Sequence, residues 1–186
     1  VQRYYVAMEQ LAGKLMEIFA LALELPRDWF ASRIDRHISA LRILSYPEQT
    51  AEPIPGQLRA GAHSDYGTLT ILYSENVAAG LQVHNKRGVW VDVQAPAGSF
   101  VINIGDLMMR WTNDRWISTL HRVINPPRER AGADRRLSIA FFHHPNYDAD
   151  VRCIETCLRL GEQPMYAPVN AGPYRLEKYT ATRINA

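Results

Sequence analysis

Between residues 41 and 143 the chain breaks into short apolar or alternating runs, each closed by Gly, Pro, Asn or Asp, and this rhythm constrains the fold more than any other feature. The runs are 41–46, 58–63, 68–73, 81–84, 89–93, 99–104, 119–124 and 136–143. Their length suits strands, and eight of them at close spacing predict an all-β sandwich or barrel. The punctuation agrees: Pro53-Ile54-Pro55-Gly56, Asn85-Lys86-Arg87-Gly88, Pro96-Ala97-Gly98 and Asn125-Pro126-Pro127 all end strands.

Helical spacing brackets this region. Tyr4, Met8, Leu11, Leu15, Ile18, Ala22 and Leu25 recur at three- and four-residue steps, which predicts an amphipathic helix ending before Pro26. Pro26 then suits the first turn of a second helix reaching about Ile34. From about Gly172 to Arg183 the spacing is helical again, with Tyr174, Leu176 and Tyr179. The expected organisation is one domain over 1–186: a helical lead-in (1–36), a β core (37–146), and a C-terminal loop and helix (147–186). Val1 already lies inside a helical pattern, so a preceding region of a longer protein is expected.

Composition narrows the functional classes. Net charge is only +2, from 21 Lys and Arg against 19 Asp and Glu, and the densest basic stretch, 128–136, is interrupted by Glu129 and Asp134. A nucleic-acid partner is therefore not expected. No apolar run approaches the ~20 residues of a membrane span, and the first residues given show no basic, apolar and small-residue succession of the secretory kind. Cys153 and Cys157 supply neither a disulfide framework nor a zinc set, and read as small, part-buried residues of a cytoplasmic protein. Oligomeric state is left open.

The chemistry concentrates in Gly61-Ala62-His63-Ser64-Asp65-Tyr66-Gly67. On a strand, residues i and i+2 share a face, so His63 and Asp65 can converge on one ion. His121, in Ser118-Thr119-Leu120-His121-Arg122-Val123, is the candidate third ligand. Two histidines and a carboxylate leave coordination positions open, which suits Fe(II) binding a co-substrate and dioxygen; a structural zinc site closes its shell with four protein ligands. Fifteen positions later, Arg136-Leu137-Ser138 opens an apolar strand. Arg136 and Ser138 share a face, offering a bidentate fork and a hydroxyl to a carboxylate. Arg135 points to the other face.

The order His-X-Asp, His, Arg-X-Ser resembles the 2-oxoglutarate- and Fe(II)-dependent oxygenase superfamily, and within it the isopenicillin N synthase-like branch. Further matching text lies in Leu41-Arg42-Ile43-Leu44-Ser45-Tyr46-Pro47, Gly80-Leu81-Gln82-Val83, Asn103-Ile104-Gly105-Asp106 and Trp111-Thr112-Asn113. The resemblance implies a mainly β fold, a double-stranded β-helix (jelly roll, cupin-like) core with flanking N-terminal and C-terminal helices. It implies Fe(II) on His63, Asp65 and His121, 2-oxoglutarate as co-substrate held at its distal carboxylate by Arg136 and Ser138, and O2 as oxidant. The implied reaction is hydroxylation or desaturation of a small-molecule substrate with release of succinate and CO2. An oxidase of isopenicillin N synthase or ethylene-forming type is the alternative on the same fold, and a non-catalytic jelly-roll module binding a metal or an acid is the remote one.

Tyr46 matches a position that bonds the co-substrate in relatives, with a core aromatic beside Pro47 as the other reading. Leu44 stands where relatives often carry Asn. Tyr66 and Phe142 are candidates to face the substrate cavity, and Arg42 either pairs with an acidic substrate or forms a structural ion pair. Leu69, Ile71, Val123 and Phe142 are expected as an apolar shell. Asn103 to Asp106 reads as a turn between strands with Asp106 bonding local N–H groups; Trp111 and Trp116 read as packing residues. His143 and His144, before Pro145, are not expected to bind metal.

Overall fold

All eight runs form strands in the computed structural model, which describes residues 1–48, 53–75, 80–93, 95–125 and 135–184. One sheet contains β1 (Ala40–Tyr46), β3 (Leu69–Ser74), β6 (Val101–Ile104) and β8 (Arg136–His143), in the order β1-β8-β3-β6. The other contains β2 (Ala60–His63), β4 (Leu81–His84), β5 (Trp90–Asp92) and β7 (His121–Val123), in the order β2-β7-β4-β5. Every pairing is antiparallel. The chain passes from one sheet to the other at nearly every step, so spatial neighbours such as β1 and β8 are far apart in sequence. This is the expected double-stranded β-helix.

Period-two alternation gives the first sheet two different faces. Leu69 and Ile71 of β3 and Phe141 of β8 point outward into a fully buried core, together with Leu107, Met108 and Trp111. Thr70, Leu72 and Ser74, with Arg136, Ser138, Ala140 and Phe142, point inward to the cavity between the sheets. Leu69 and Ile71 therefore do not belong to the apolar shell of the site. The other expected members, Val123 and Phe142, do line it.

Helix α1 (Gln2–Ala22) covers the outer face through Met8, Ala12, Met16 and Ala20. The expected stripe is rotated: Ile18 is 58% exposed and Ala22 faces water. Four-residue steps that include two alanines seat the helix close to the sheet, and size-blind spacing does not reveal this. The helix closes with the Leu25 N–H donating to the Ala20 carbonyl at 3.0 Å across Glu24, a left-handed residue (φ 60°). The second expected helix shrinks to one turn, α2 (Ala31–Ile34), after a series of turns.

The segment expected as a turn between strands instead ends β6 with Asn103 and Ile104 and opens helix α3 (Asp106–Trp111) at Asp106. Six residues are too few to show a 3.6-residue period, yet Leu107, Met108 and Trp111 all enter the core. Asp106 does not cap local N–H groups with its side chain. Its buried carboxylate accepts from Lys178 Nζ at 3.0 Å and Tyr174 Oη at 3.4 Å, both on helix α4 (Ala171–Ile184). Burial, then Asp106, pushes the Tyr174 phenol well above its ordinary range. A two-stranded ribbon of β9 (Asp150–Val151) and β10 (Val169–Asn170) leads the chain into α4.

Trp111 is fully buried and Trp116 meets Phe19 edge-on at 5.0 Å, so both are packing residues. Cys153 and Cys157 are free and half-buried, their thiols pushed up mainly by burial. Among the described residues no helix is long and apolar enough to cross a membrane. The expected Pro126-Pro127 turn and the basic stretch through Asp134 lie outside the described residues.

Candidate metal centre and acid pocket

His63 ends β2, His121 begins β7, and the antiparallel register sets the two directly opposite each other. Their ring centroids are 4.3 Å apart. Asp65 lies beyond the strand end, so strand alternation does not place it. Its main chain is fixed by the Asp106 N–H, which donates to the Asp65 carbonyl at 2.7 Å. Helix α3, unforeseen in the sequence, thus positions a ligand predicted from it.

The carboxylate of Asp65 is buried and half committed. Its Oδ2 accepts from Thr70 Oγ1 at 2.6 Å and from Asn103 Nδ2 at 2.7 Å. These donors are register partners on β3 and β6. Oδ1 is left facing the histidines, 3.7 Å from His121 Nε2. Ligand atoms of His63, Asp65 and His121 lie within 4.8 Å of one another.

The tautomers follow from the neighbours. His63 Nδ1 sits 2.7 Å from the Gly61 carbonyl and His121 Nδ1 3.1 Å from the Thr119 carbonyl. A carbonyl can only accept, so both Nδ1 atoms carry hydrogen and both Nε2 atoms present lone pairs. Two such imidazoles and one carboxylate oxygen, already oriented by backbone and side-chain bonds, fit a divalent iron bound on one face with its remaining positions open.

Two glycines let this rim close. A Cβ on Gly67 would collide with the His143 carbonyl, and one on Gly105 would collide with the Gly67 carbonyl. The chain after Asp65 therefore lies against both the end of β8 and the start of α3. His143 and His144 are buried beside this junction and stand outside the metal-binding cluster. His143 Nδ1 lies 2.7 Å from Thr68 Oγ1. Burial, then the nearby His37 and His144, lowers the His143 pKa to about 3. Burial, then Arg175, lowers that of His144 to about 4.

Arg136 and Ser138 line the same cavity as the three ligand residues, a space of about 150 Å³. Both side chains are buried, whereas Arg135 faces solvent. Tyr46 pairs with Arg136 across β1 and β8, and the guanidinium lies over its ring at 4.5 Å. Ser138 Oγ donates to Ser74 Oγ at 3.4 Å. Burial depresses the Arg136 pKa, opposed by Tyr46. A cation held this far from water gains from an incoming anion, and guanidinium plus hydroxyl is a carboxylate-binding set.

The candidate substrate residues divide. Phe142 and Arg42 line the cavity. Tyr66 does not; its hydroxyl donates to Thr182 Oγ1 at 3.1 Å, and Lys178 Nζ lies 5.6 Å from its ring centre, so it ties the metal loop to α4. Asp65 faces the cavity, and Tyr66, in the bend that follows it, faces α4. Thr70 and Asn103 are absent from any sequence-derived set. Thr70 looks like an ordinary strand threonine, and Asn103 is masked by the turn-like text around it.

A double-stranded β-helix here gathers two histidines and a carboxylate, with a buried Arg and Ser lining the same cavity, a set whose chemistry fits a non-haem iron and a carboxylate. Residues 37–145 match the model of the 2OG-Fe(II) oxygenase superfamily, and the chain belongs to that family. It is 39% identical over 168 residues to the 2-oxoglutarate-Fe(II) type oxidoreductase hxnY of Emericella nidulans, covering 89% of this chain and 46% of that protein. It is 35% identical over 185 residues to homoarginine-6-hydroxylase 2-ODD-233 of Oryza sativa subsp. japonica, covering 96% of this chain and 54% of that one. Among solved structures, a full-length Neurospora crassa protein in complex with alpha-KG and thymine superposes with a TM-score of 0.89 at 32% identity, over 97% of this chain and 55% of that one. The chain spans about half the length of the curated relatives it matches.

Proposed function

We propose that this chain forms the catalytic core of a 2-oxoglutarate- and Fe(II)-dependent dioxygenase that hydroxylates or desaturates a small-molecule substrate, releasing succinate and CO2. One observation carries the reading: an oriented three-ligand cluster and a buried Arg136–Ser138 pair share one cavity. A metal site alone needs no buried arginine, and an acid site alone needs no convergent imidazoles.

In this reading His63 Nε2, His121 Nε2 and Asp65 Oδ1 hold Fe(II), while Thr70 and Asn103 keep the carboxylate from rotating. Arg136 and Ser138 hold the distal carboxylate of 2-oxoglutarate, and the Tyr46 ring supports the guanidinium from β1. Fe(II), when bound, supplies dioxygen activation coupled to decarboxylation of the keto acid. Leu72, Val83, Val101, Val123 and Phe142 line the cavity with apolar surface, which excludes water from the reacting centre.

The decisive experiment adds Fe(II) and then 2-oxoglutarate without oxygen. A weak visible charge-transfer band is expected, followed, once oxygen and a substrate are admitted, by succinate in step with substrate consumed. Absence of both the band and succinate would overturn the reading. Substrate oxidation that proceeds without 2-oxoglutarate would instead identify the oxidase alternative, with Arg136 and Ser138 holding the substrate's own carboxylate.

A further inference from the structure

We propose that Arg42 anchors an anionic group of the prime substrate, so that the cavity takes a small carboxylic acid in addition to its co-substrate; this rests on the oxygenase reading above. Alternation along β1 places Arg42, Leu44 and Tyr46 on the cavity wall. Arg42 stands toward the mouth, exposed, and makes no hydrogen bond or ion pair with any described residue. Exposed arginines without partners are ordinary on a protein surface. An arginine on the wall of a reaction cavity is not, because its charge acts on whatever enters.

No described residue of the cavity is free to neutralise this charge. Asp65 is the one carboxylate among the described residues lining it. One oxygen of Asp65 is bonded to Thr70 and Asn103, and the other faces the two histidines. Nor does Arg42 serve the same acid group as Arg136. The register pairs Arg136 with Tyr46, four residues along β1 from Arg42, a backbone separation of roughly 14 Å at about 3.4 Å per residue. One short dicarboxylate chelating the metal does not reach both.

The floor beside Arg42 is open. Its register partner is Ala140, and the next residue in that row is Leu72 of β3. The adjacent row, two residues on, runs through Phe142, Thr70 and Asn103, the last two bracing the metal-ligand carboxylate. A molecule held by its acid group at Arg42 would lie over Ala140 and reach the metal-bearing row across about two strand spacings, roughly 10 Å. A charge-assisted, two-pronged contact of this kind discriminates an acid from its neutral isostere.

The test uses the full-length protein, wild type and Arg42→Gln, with matched small carboxylic acids and their carboxamides as probes, amino acids included. Binding is read by ligand-observed NMR on protein loaded with a diamagnetic divalent ion and 2-oxoglutarate, and turnover by succinate release. We expect at least one acid to bind and to stimulate succinate formation where its amide does neither. Arg42→Gln should raise the KM of that acid about ten- to a hundredfold, leave the amide as inactive as before, and so shrink the acid preference. Arg42→Lys should recover part of the affinity. A preference for amides or neutral probes, no binding by any acid, or an acid KM indifferent to Arg42→Gln would each overturn the assignment. Loss of the oxygenase reading looks different: no succinate forms with any probe, while acid-selective binding at Arg42 still registers in the NMR arm.

Discussion

Asn103 donates from Nδ2 to Oδ2 of Asp65 at 2.7 Å, and this bond together with the one from Thr70 decides which carboxylate oxygen faces the two histidines. Partners of this kind typically contribute a factor of about 10–100 in metal affinity. Asn103→Leu and Thr70→Val should each weaken Fe(II) or Mn(II) binding by about that factor, read by metal titration. Asp65→Ala should abolish turnover and lose far more affinity. Unchanged metal binding in both outer variants would show that Asp65 is held by the backbone alone.

Arg136 should be separable from the metal. Arg136→Ala removes a charge-assisted contact worth about 2–4 kcal/mol, so the KM for 2-oxoglutarate should rise by tens- to several hundredfold while metal affinity is retained. Ser138→Ala should cost about 0.5–1.5 kcal/mol at the same group. Steady-state kinetics at varied 2-oxoglutarate, beside a metal titration of the same preparations, measures both. An unaltered requirement for 2-oxoglutarate in Arg136→Ala would exclude the assigned role.

The sequence is most legible where chemistry is carried by unusual residues at short range. His63, Asp65, His121, Arg136 and Ser138 stand out because such side chains seldom occupy apolar strands without purpose, and the strands themselves follow from turn residues and alternation. What brings the five together is non-local and carries no residue-type signature. The pairing of β1 with β8 joins Tyr46 to Arg136, and that of β3 with β6 joins Thr70 to Asn103. Helix α3 is shorter than the window that reveals a helical period, so Asp106 is legible as a turn residue and not as a brace for α4. The buried face of α1 is chosen by the small size of Ala12 and Ala20, to which apolar spacing is blind.

Gly67 and Gly105 should tolerate no side chain. In each case the added Cβ meets backbone, which cannot rotate away, and the two glycines touch through the Gly67 carbonyl. The same junction carries the Leu107 N–H to the Gly67 carbonyl at 3.0 Å and the Asp106 N–H to the Asp65 carbonyl at 2.7 Å. Gly67→Ala and Gly105→Ala should each destabilise the fold by at least about 2 kcal/mol and weaken metal binding in whatever folded protein remains. Chemical denaturation reads the first effect and metal titration the second. Wild-type stability in either variant would mean that the α3 junction yields easily and does not position Asp65.

Stability should fall as pH drops below the ordinary histidine range, through two imidazoles that do no chemistry. His143, packed against Thr68, His37 and Phe141, has its pKa lowered to about 3, and buried His144 to about 4, against an unfolded value near 6.5. Between those values the unfolded chain binds protons that the folded chain refuses, so their stabilising contribution is complete above about pH 6.5. It is lost progressively toward pH 4 for His144 and pH 3 for His143. Each group contributes a slope of up to about 1.4 kcal/mol per pH unit in its window. His143→Gln retains a partner for Thr68 and cannot titrate, so it should flatten the dependence of the denaturation midpoint on pH in metal-free protein. Removing the metal first separates this effect from proton competition at His63 and His121. An equally steep dependence in His143→Gln would show that His143 takes up its proton in the native state, and that its burial does not set the acid limit of the fold.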